Sequence, residues 1–274
     1  MKRNIPVQIL RLLENMLLIC HSCVKWEDIQ SAFFTVAYGV RQGSVLAPFL
    51  FAVYLDNLCE MCGFDRGRFI IVYADDILLL SPSVMDLEKL LHLCERELIW
   101  LDMSINCKKS CCVRIGPRCD VECANITTLS GHVLPWTNEI RYIGIFIVQS
   151  RTFKCALDYA KSSFYRAANA IFGKVGRLAS EEVTLQLIKT KCLPMLLYGL
   201  VACPLNKSQL LSIDFVINRF FIKLFTTSNM EVIKCCQQQF DFELPSDTLA
   251  RRTNKFLANL CQCDNSVIKT VMRM

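Results

Sequence analysis

Phe69-Ile70-Ile71-Val72-Tyr73-Ala74-Asp75-Asp76-Ile77-Leu78-Leu79-Leu80 sets two adjacent carboxylates between two apolar runs. Runs of four β-branched or large apolar residues read as strands, and the polar break between them has the length of a hairpin loop. The turn therefore lifts Asp75 and Asp76 off a hydrophobic platform. Adjacent acids repel, so such a pair is tolerated mainly where cations or basic groups neutralise it, and magnesium, which favours oxygen ligands, suits it. A solvated turn that happens to contain two Asp residues is the competing reading, because acids are common turn residues.

Outward from that hairpin, 274 residues with 53% apolar and 20% charged side chains have ample material for a core, and exclude a disordered chain. The net charge of +6 is unevenly divided: residues 1–150 carry 14 Lys/Arg against 16 Asp/Glu, and residues 151–274 carry 17 against 9. A basic excess confined to one half suits a surface that holds a polyanion, and equally a solvated basic face. The 17 Cys residues show no zinc-ribbon spacing: Cys111-Cys112 and Cys235-Cys236 are vicinal, and Cys261-Gln262-Cys263 has one spacer. Met1-Lys2-Arg3-Asn4-Ile5-Pro6 leads into a stretch with Arg11 and Glu14 rather than the apolar segment of a signal peptide. A reducing compartment is expected, with most thiols acting as small hydrophobes. The most apolar stretch, Cys192 to Cys203, is too short for the roughly 20 residues of a membrane span and is interrupted by Pro194 and Gly199.

Residues 5–19 put Ile5, Ile9, Leu12, Leu13 and Met16 at helical spacing, a helix that needs a partner. Cys23–Trp26 and Phe33–Tyr38 read as paired strands around a Glu27-Asp28 turn. Gly39-Val40-Arg41-Gln42-Gly43-Ser44-Val45-Leu46-Ala47-Pro48 reads as a loop feeding an apolar helix, with Ser44 its candidate cap. Ser83 is the candidate cap of a helix over about 85–102, buried through Leu87, Leu90, Leu91, Cys94, Leu98 and Leu101. Strands are expected over 111–115 and 140–148, then helices over about 154–174, 181–192, 206–225 and 246–261. Composition and charge change together near residue 150, which divides the chain into 1–150 and 151–274.

Four segments in order resemble the reverse transcriptase of non-LTR (LINE-type) retrotransposons. They are Gly39 to Pro48 with Phe49-Leu50-Phe51, Val72-Tyr73-Ala74-Asp75-Asp76, Ile105-Asn106-Cys107-Lys108-Lys109-Ser110, and Glu139-Ile140-Arg141-Tyr142-Ile143-Gly144. The similarity runs from the first residues to about 230. The fold class it implies is α+β: part of a right-hand polymerase palm, an antiparallel sheet with helices, in 1–150, followed by an α-helical thumb and C-terminal extension in 151–274.

In that family nucleotide addition is in-line phosphoryl transfer, with two Mg2+ (or Mn2+) ions stabilising the attacking and leaving oxygens. The resemblance makes Asp75 a metal ligand and Asp76 the second, more peripheral acid. Tyr73 faces the primer end, and Ala74 is small enough to let nucleic acid approach; plain hairpin packing is the alternative for both. Arg41, Gln42, Gly43 and Ser44 lie against the templating base and incoming nucleotide. Lys109 corresponds to the lysine near the triphosphate, although Lys108 beside it leaves the register open and a solvated basic turn is the plain alternative. Tyr142, Ile143 and Gly144 correspond to the primer grip, where ordinary strand packing is the alternative. Between residues 151 and 230, 11 Lys/Arg face 4 Asp/Glu, and Lys154, Lys161, Arg166, Lys174 and Arg177 are candidate phosphate contacts or solvated charges.

The family places a further metal-binding Asp upstream, at the end of an apolar strand. No Asp precedes Asp28 here, and Asp28 lies in a polar turn. The expectation is a truncated palm without its first strand and helix, without fingers or endonuclease, unable to polymerise alone and poorly soluble through its uncovered edge. The alternative is a catalytically inactive retrotransposon relic that only binds nucleic acid. Implied partners are an RNA template, a DNA primer and deoxynucleoside triphosphates, with no membrane. The implied location is intracellular, nucleus or cytoplasm, and not secreted. Oligomeric state is not legible.

Overall fold

A computed structural model describes residues 5–36, 43–60, 67–176, 178–264 and 268, and it falls into two compact units. The first comprises residues 1–62 and 69–79, the second residues 63–68 and 80–274. The change in composition near 150 falls inside the second unit. The described residues mix helices with five two-stranded ladders, an α+β arrangement of small antiparallel sheets.

In the first unit, Pro6 opens α1 (Val7–Leu18) by accepting the Ile9 and Leu10 N–H groups on its carbonyl. No residue of α1 is buried, and Val7, Leu12, Leu18 and Ile19 stand open to solvent. The pairing after α1 differs from the sequence-based expectation. The Glu27-Asp28 turn, with Glu27 at φ +53°, joins β2 (Lys25–Trp26) to β3 (Ile29–Gln30). Phe34 and Thr35, which form β4, instead pair with β1 (His21–Ser22). Strands of two residues give the hydrophobic alternation too little length to fix a partner.

Helix α2 (Ala47–Tyr54) starts with Pro48 in its first turn, where its missing N–H costs nothing. Ser44 does not cap it through its hydroxyl. Leu46 is the N-cap, and Ser44 contributes only its carbonyl, which accepts the Ala47 N–H at 3.3 Å. Helix α3 (Asp56–Glu60) then packs on β5 (Phe69–Tyr73), which pairs with β6 (Asp76–Leu80). Leu55, Leu58 and Ile70 are buried in this unit. The rest of both strands is half-buried or exposed, because a two-stranded ladder has only part of one face covered.

The second unit begins with α4 (Val84–Trp100). The Ser83 hydroxyl accepts the Asp86 N–H at 3.1 Å and donates to the Asp86 carboxylate at 2.7 Å, so the cap is as the sequence implies. Leu90, Leu91, Cys94, Leu98 and Leu101 are buried and Leu87 is half-buried. The segment carrying β7 (Ile126–Thr127) and β8 (Val133–Leu134) docks on α4 through polar groups. The Glu88 carboxylate accepts both the N–H (2.9 Å) and the hydroxyl (2.8 Å) of Thr127, and the Glu95 carboxylate accepts the Leu129 N–H at 2.7 Å. The Thr127 N–H, and after it the Thr127 hydroxyl, hold the Glu88 carboxyl below its ordinary value.

Residues 111–115 form no strand of their own and make only single bridges, Cys112 to Trp136 and Ile115 to Ser150. The stretch 140–148 is not one strand but a hairpin of β9 (Glu139–Tyr142) and β10 (Ile145–Val148), turning at Ile143-Gly144 with φ +46° and +76°. Between Asp158 and Gln262 the described residues are built into helices: α5 (Asp158–Val175), α6 (Glu181–Leu187), a π-helical turn over Ile188–Cys192, α7 (Leu193–Leu197), α8 (Lys207–Phe225), α9 (Met230–Gln239) and α10 (Pro245–Gln262). Capping chemistry sets the boundaries. Ser180 accepts the Val183 N–H, and Asn206 forms a reciprocal capping box with Gln209. These helices bury one continuous core in which Phe164, Ile188, Cys192, Leu196, Ile213, Phe221 and Ile233 are inaccessible to solvent. Among the described residues no helix is long and apolar enough to cross a membrane.

Candidate active site

Tyr73 ends β5 and Asp76 begins β6, so the connection between the strands is the two residues Ala74-Asp75. Ala74 adopts φ +50°, a left-handed conformation that strains any residue with a Cβ and would strain a β-branched one more. The short turn presents both carboxylates at the tip. Asp75 and Asp76 are exposed, and among the described residues neither carboxylate has a hydrogen-bond or ion-pair partner. Tyr73 is 59% exposed beside them. Two unpaired acids held at adjacent positions on a ladder are an electrostatic sink that an oxygen-seeking divalent cation fits. Among the described residues, however, no cluster of three or more His, Cys, Asp or Glu could hold a metal ion.

Gly43, at φ +85°, and the half-buried Ser44 immediately precede α2 in the same unit as the hairpin. Arg41 and Gln42 lie outside the described residues. Lys109 and Lys108 are both exposed in a turn where the Asn106 carbonyl accepts the Lys109 and Ser110 N–H groups at 3.0 Å. That turn, with Tyr142, Ile143 and Gly144, belongs to the second unit. Tyr142 and Ile143 are half-buried and Gly144 is exposed at the β9–β10 turn. The Tyr198 ring lies against Gly144, where an added Cβ would sit 3.0 Å from the ring. Gly199, at φ +69°, lies under Ile145 so closely that a Cβ there would collide with it. Sequence reading took Gly199 only as an interruption of an apolar run; its position two residues past α7 was the available signal.

The basic helices divide by how their cations are engaged. Lys161 is committed to structure, donating to Ser212 at 2.6 Å and lying 3.9 Å from Asp158. Lys154, Arg166 and Lys174 are exposed, and Arg166 donates to Ser163 at 3.3 Å. Arg177 lies outside the described residues. Arg219 and Lys223, not singled out by spacing, lie over the rings of Tyr165 and Phe172 at 5.8 and 4.7 Å, and with Asn169 they line a groove of about 510 Å³ between α5 and α8.

Residues 3–147 match the family described as reverse transcriptase (RNA-dependent DNA polymerase). The chain is 28% identical over 166 residues to a Drosophila funebris protein described as the RNA-directed DNA polymerase from mobile element jockey, which covers 53% of this chain and 16% of that protein. It is 29% identical over 177 residues to the retrovirus-related Pol polyprotein from type-1 retrotransposable element R2 of Popillia japonica, covering 59% and 24% of the two chains. The matches thus span less than a quarter of the length of these relatives.

Proposed function

The chain belongs to the reverse transcriptase (RNA-dependent DNA polymerase) family, and from that premise we propose that it carries part of the nucleotidyl-transfer machinery of a LINE-type mobile element. The observation that carries this reading is the Tyr73 to Asp76 hairpin tip, which lies inside the matched region and holds two exposed, unpaired carboxylates.

Asp75 and Asp76 would hold divalent metal, Mg2+ or Mn2+, which when bound supplies charge stabilisation for the attacking and leaving oxygens. The rest of the work falls to the chain itself. Ala74 keeps the tip low enough for a nucleic-acid strand to approach, and the exposed Tyr73 ring offers an apolar face beside the primer end. Gly43 and Ser44, with Arg41 and Gln42, line the approach of the templating base and the nucleoside triphosphate. An exposed ammonium at Lys109 offsets triphosphate charge and can deliver a proton to the departing pyrophosphate. The β9–β10 turn at Tyr142-Ile143-Gly144 grips the primer strand. In this reading residues 1–150 are palm and residues 151–274 are thumb and extension, whose exposed Lys154, Arg166 and Lys174 neutralise duplex phosphates.

A second reading has its own support. Among the described residues no third His, Cys, Asp or Glu joins Asp75 and Asp76 in a group that could hold a metal ion, and two carboxylates alone would leave the metal short of a bridging ligand. On this account the 274 residues bind nucleic acid and transfer no nucleotide unless a further acid is supplied. The purified chain is tested with an RNA template, a DNA primer, deoxynucleoside triphosphates and Mg2+, alone and with upstream polymerase segments of a relative added in trans. The polymerase reading predicts incorporation in the complemented reaction that falls at least ~10³-fold in Asp75→Ala, with the thermal midpoint unchanged. Incorporation that survives Asp75→Ala would sink it. Duplex binding that persists without incorporation, and weakens about tenfold or more as salt rises, would favour the binding-only reading.

A further inference from the structure

We infer that Cys155 and Cys203 are a modification site, a thiol pair that a small-molecule disulfide closes into an intramolecular bond, fastening the β9–β10 hairpin to the helices beside it. The two sulfurs lie 2.7 Å apart although separated by 48 residues in sequence. That is inside the contact distance of unbonded sulfurs and needs only a small closing movement to reach the bond length of about 2.0 Å.

Each cysteine is held by backbone structure rather than by a loose loop. Cys155 is buried in a strap that runs alongside β10: it bridges Ile147, the Lys154 carbonyl accepts the Val148 N–H at 3.1 Å, and the Ala156 N–H donates to the Phe146 carbonyl at 2.8 Å. Cys203 ends the 3₁₀ turn Leu200–Ala202, where its N–H donates to the Leu200 carbonyl at 3.1 Å and its thiol donates to the Gly199 carbonyl at 3.6 Å. The same short stretch supplies Tyr198 and Gly199, which receive Gly144 and Ile145 of the hairpin. A covalent link at 155–203 therefore adds a bond to a joint that packing against Gly144 and Ile145 already holds.

Cys203 is the more accessible of the two and reacts first. Its thiolate attacks one sulfur of the small disulfide, breaking that S–S bond and releasing one small thiol. The Cys155 thiolate then attacks Cys203 in the mixed disulfide and releases the second small thiol. Two protein thiols give up two protons and two electrons, and one reagent disulfide becomes two thiols. Burial, reinforced by the Cys155 contact, pushes the Cys203 thiol up to about 12, so the pair rests as thiols at neutral pH and closes faster as pH rises.

Among the described residues, Cys119 meets the Asp120 carboxylate and Cys123 meets Arg114 instead.

The full chain is incubated with glutathione disulfide at about pH 8, remaining thiols are alkylated, and the digest is mapped by tandem mass spectrometry. The expected result is a peptide cross-linked between Cys155 and Cys203. The thermal midpoint is expected to rise by roughly 5–10 °C. Amide exchange over β9 and β10 is expected to slow by about tenfold or more. All three changes revert with a reducing agent and are absent in Cys203→Ser. Recovery of both cysteines as alkylated thiols, a stable mixed disulfide at Cys203, or linkage of either to another cysteine overturns the assignment. A 155–203 link with unchanged hairpin exchange overturns the fastening. Peptide mapping of the unsubstituted chain decides the first point even if Cys203→Ser folds poorly, and no readout depends on nucleotide transfer.

Discussion

The hairpin unit and the helical bundle of this chain are built to opposite plans. In the first unit the described core amounts to Cys20, Leu55, Leu58 and Ile70, while no residue of α1 is buried and Ile9, Leu10, Leu12, Leu17 and Leu18 are exposed. From Leu157 to Leu249 the helices close over a continuous core of buried Phe, Leu, Ile and Val, with Phe172, Phe220, Phe221 and Phe242 meeting edge to face. The candidate catalytic acids stand on the thinner of the two. Their placement depends on backbone geometry at a two-residue turn rather than on packing, whereas the bundle is held by burial and caps. Sequence change should therefore cost activity without stability at the hairpin, and stability first in the bundle.

The sharpest contrast is between two apolar truncations. Phe221→Ala removes a side chain from the centre of the bundle and is expected to destabilise the chain by about 3–5 kcal/mol. Leu12→Ala on α1 is expected to stay within about 0.5 kcal/mol, because that side chain is 68% exposed. Chemical denaturation measures both, and equal losses would break the comparison by showing that the α1 face is covered in solution.

A smaller effect is expected at the β9–β10 turn, where a β-branched residue occupies φ +46°. Ile143→Asn relieves that strain, since Asn tolerates the left-handed region, and should gain up to about 1 kcal/mol less whatever apolar contact Ile143 makes. A loss above about 1 kcal/mol would show that packing, not backbone, fixes this turn.

The smallest effect is a pH dependence. The folded Glu88 carboxyl lies below its ordinary 4.5, chiefly because the Thr127 N–H donates to it, with the Thr127 hydroxyl second. Its contribution is therefore complete above that ordinary value and is lost as pH falls through the lower folded value. Glu88→Gln should flatten the stability profile below roughly pH 5 and leave its slope near neutrality unchanged. An identical acid limb in the variant would mean that the Thr127 contacts do not hold β7 to α4.

How much could be read from the sequence follows the same division. The long helices α4, with its Ser83 cap, and α8 were legible to within a few residues, because each carries three or more turns of consistent pattern. Helix α9 escaped notice despite the Asn229 cap, since its Cys235-Cys236 and Gln237 to Gln239 run weakens the apolar stripe. Short ladders were misread where strand length falls to two residues. The β9–β10 turn was missed because Ile143-Gly144 lacks the Asn-Gly or Asp-Gly signature of a tight hairpin, leaving Gly144 as its sole cue. The Tyr73 to Asp76 tip was legible because polar residues break two apolar runs at hairpin length. Its left-handed Ala74 was not, and neither was the Tyr198-Gly199 seat under the second hairpin, which only three-dimensional proximity reveals.

The central claim is that Asp75 and Asp76 form a divalent-metal site on the hairpin tip. Titrating the isotope-labelled chain with Mn2+ and following paramagnetic broadening of its amide resonances addresses it without requiring turnover. The account predicts that the amides of residues 73–77 broaden first, that Mg2+ in excess restores them, and that Asp75→Asn removes the effect. Broadening that begins elsewhere, or that persists in Asp75→Asn, would contradict it.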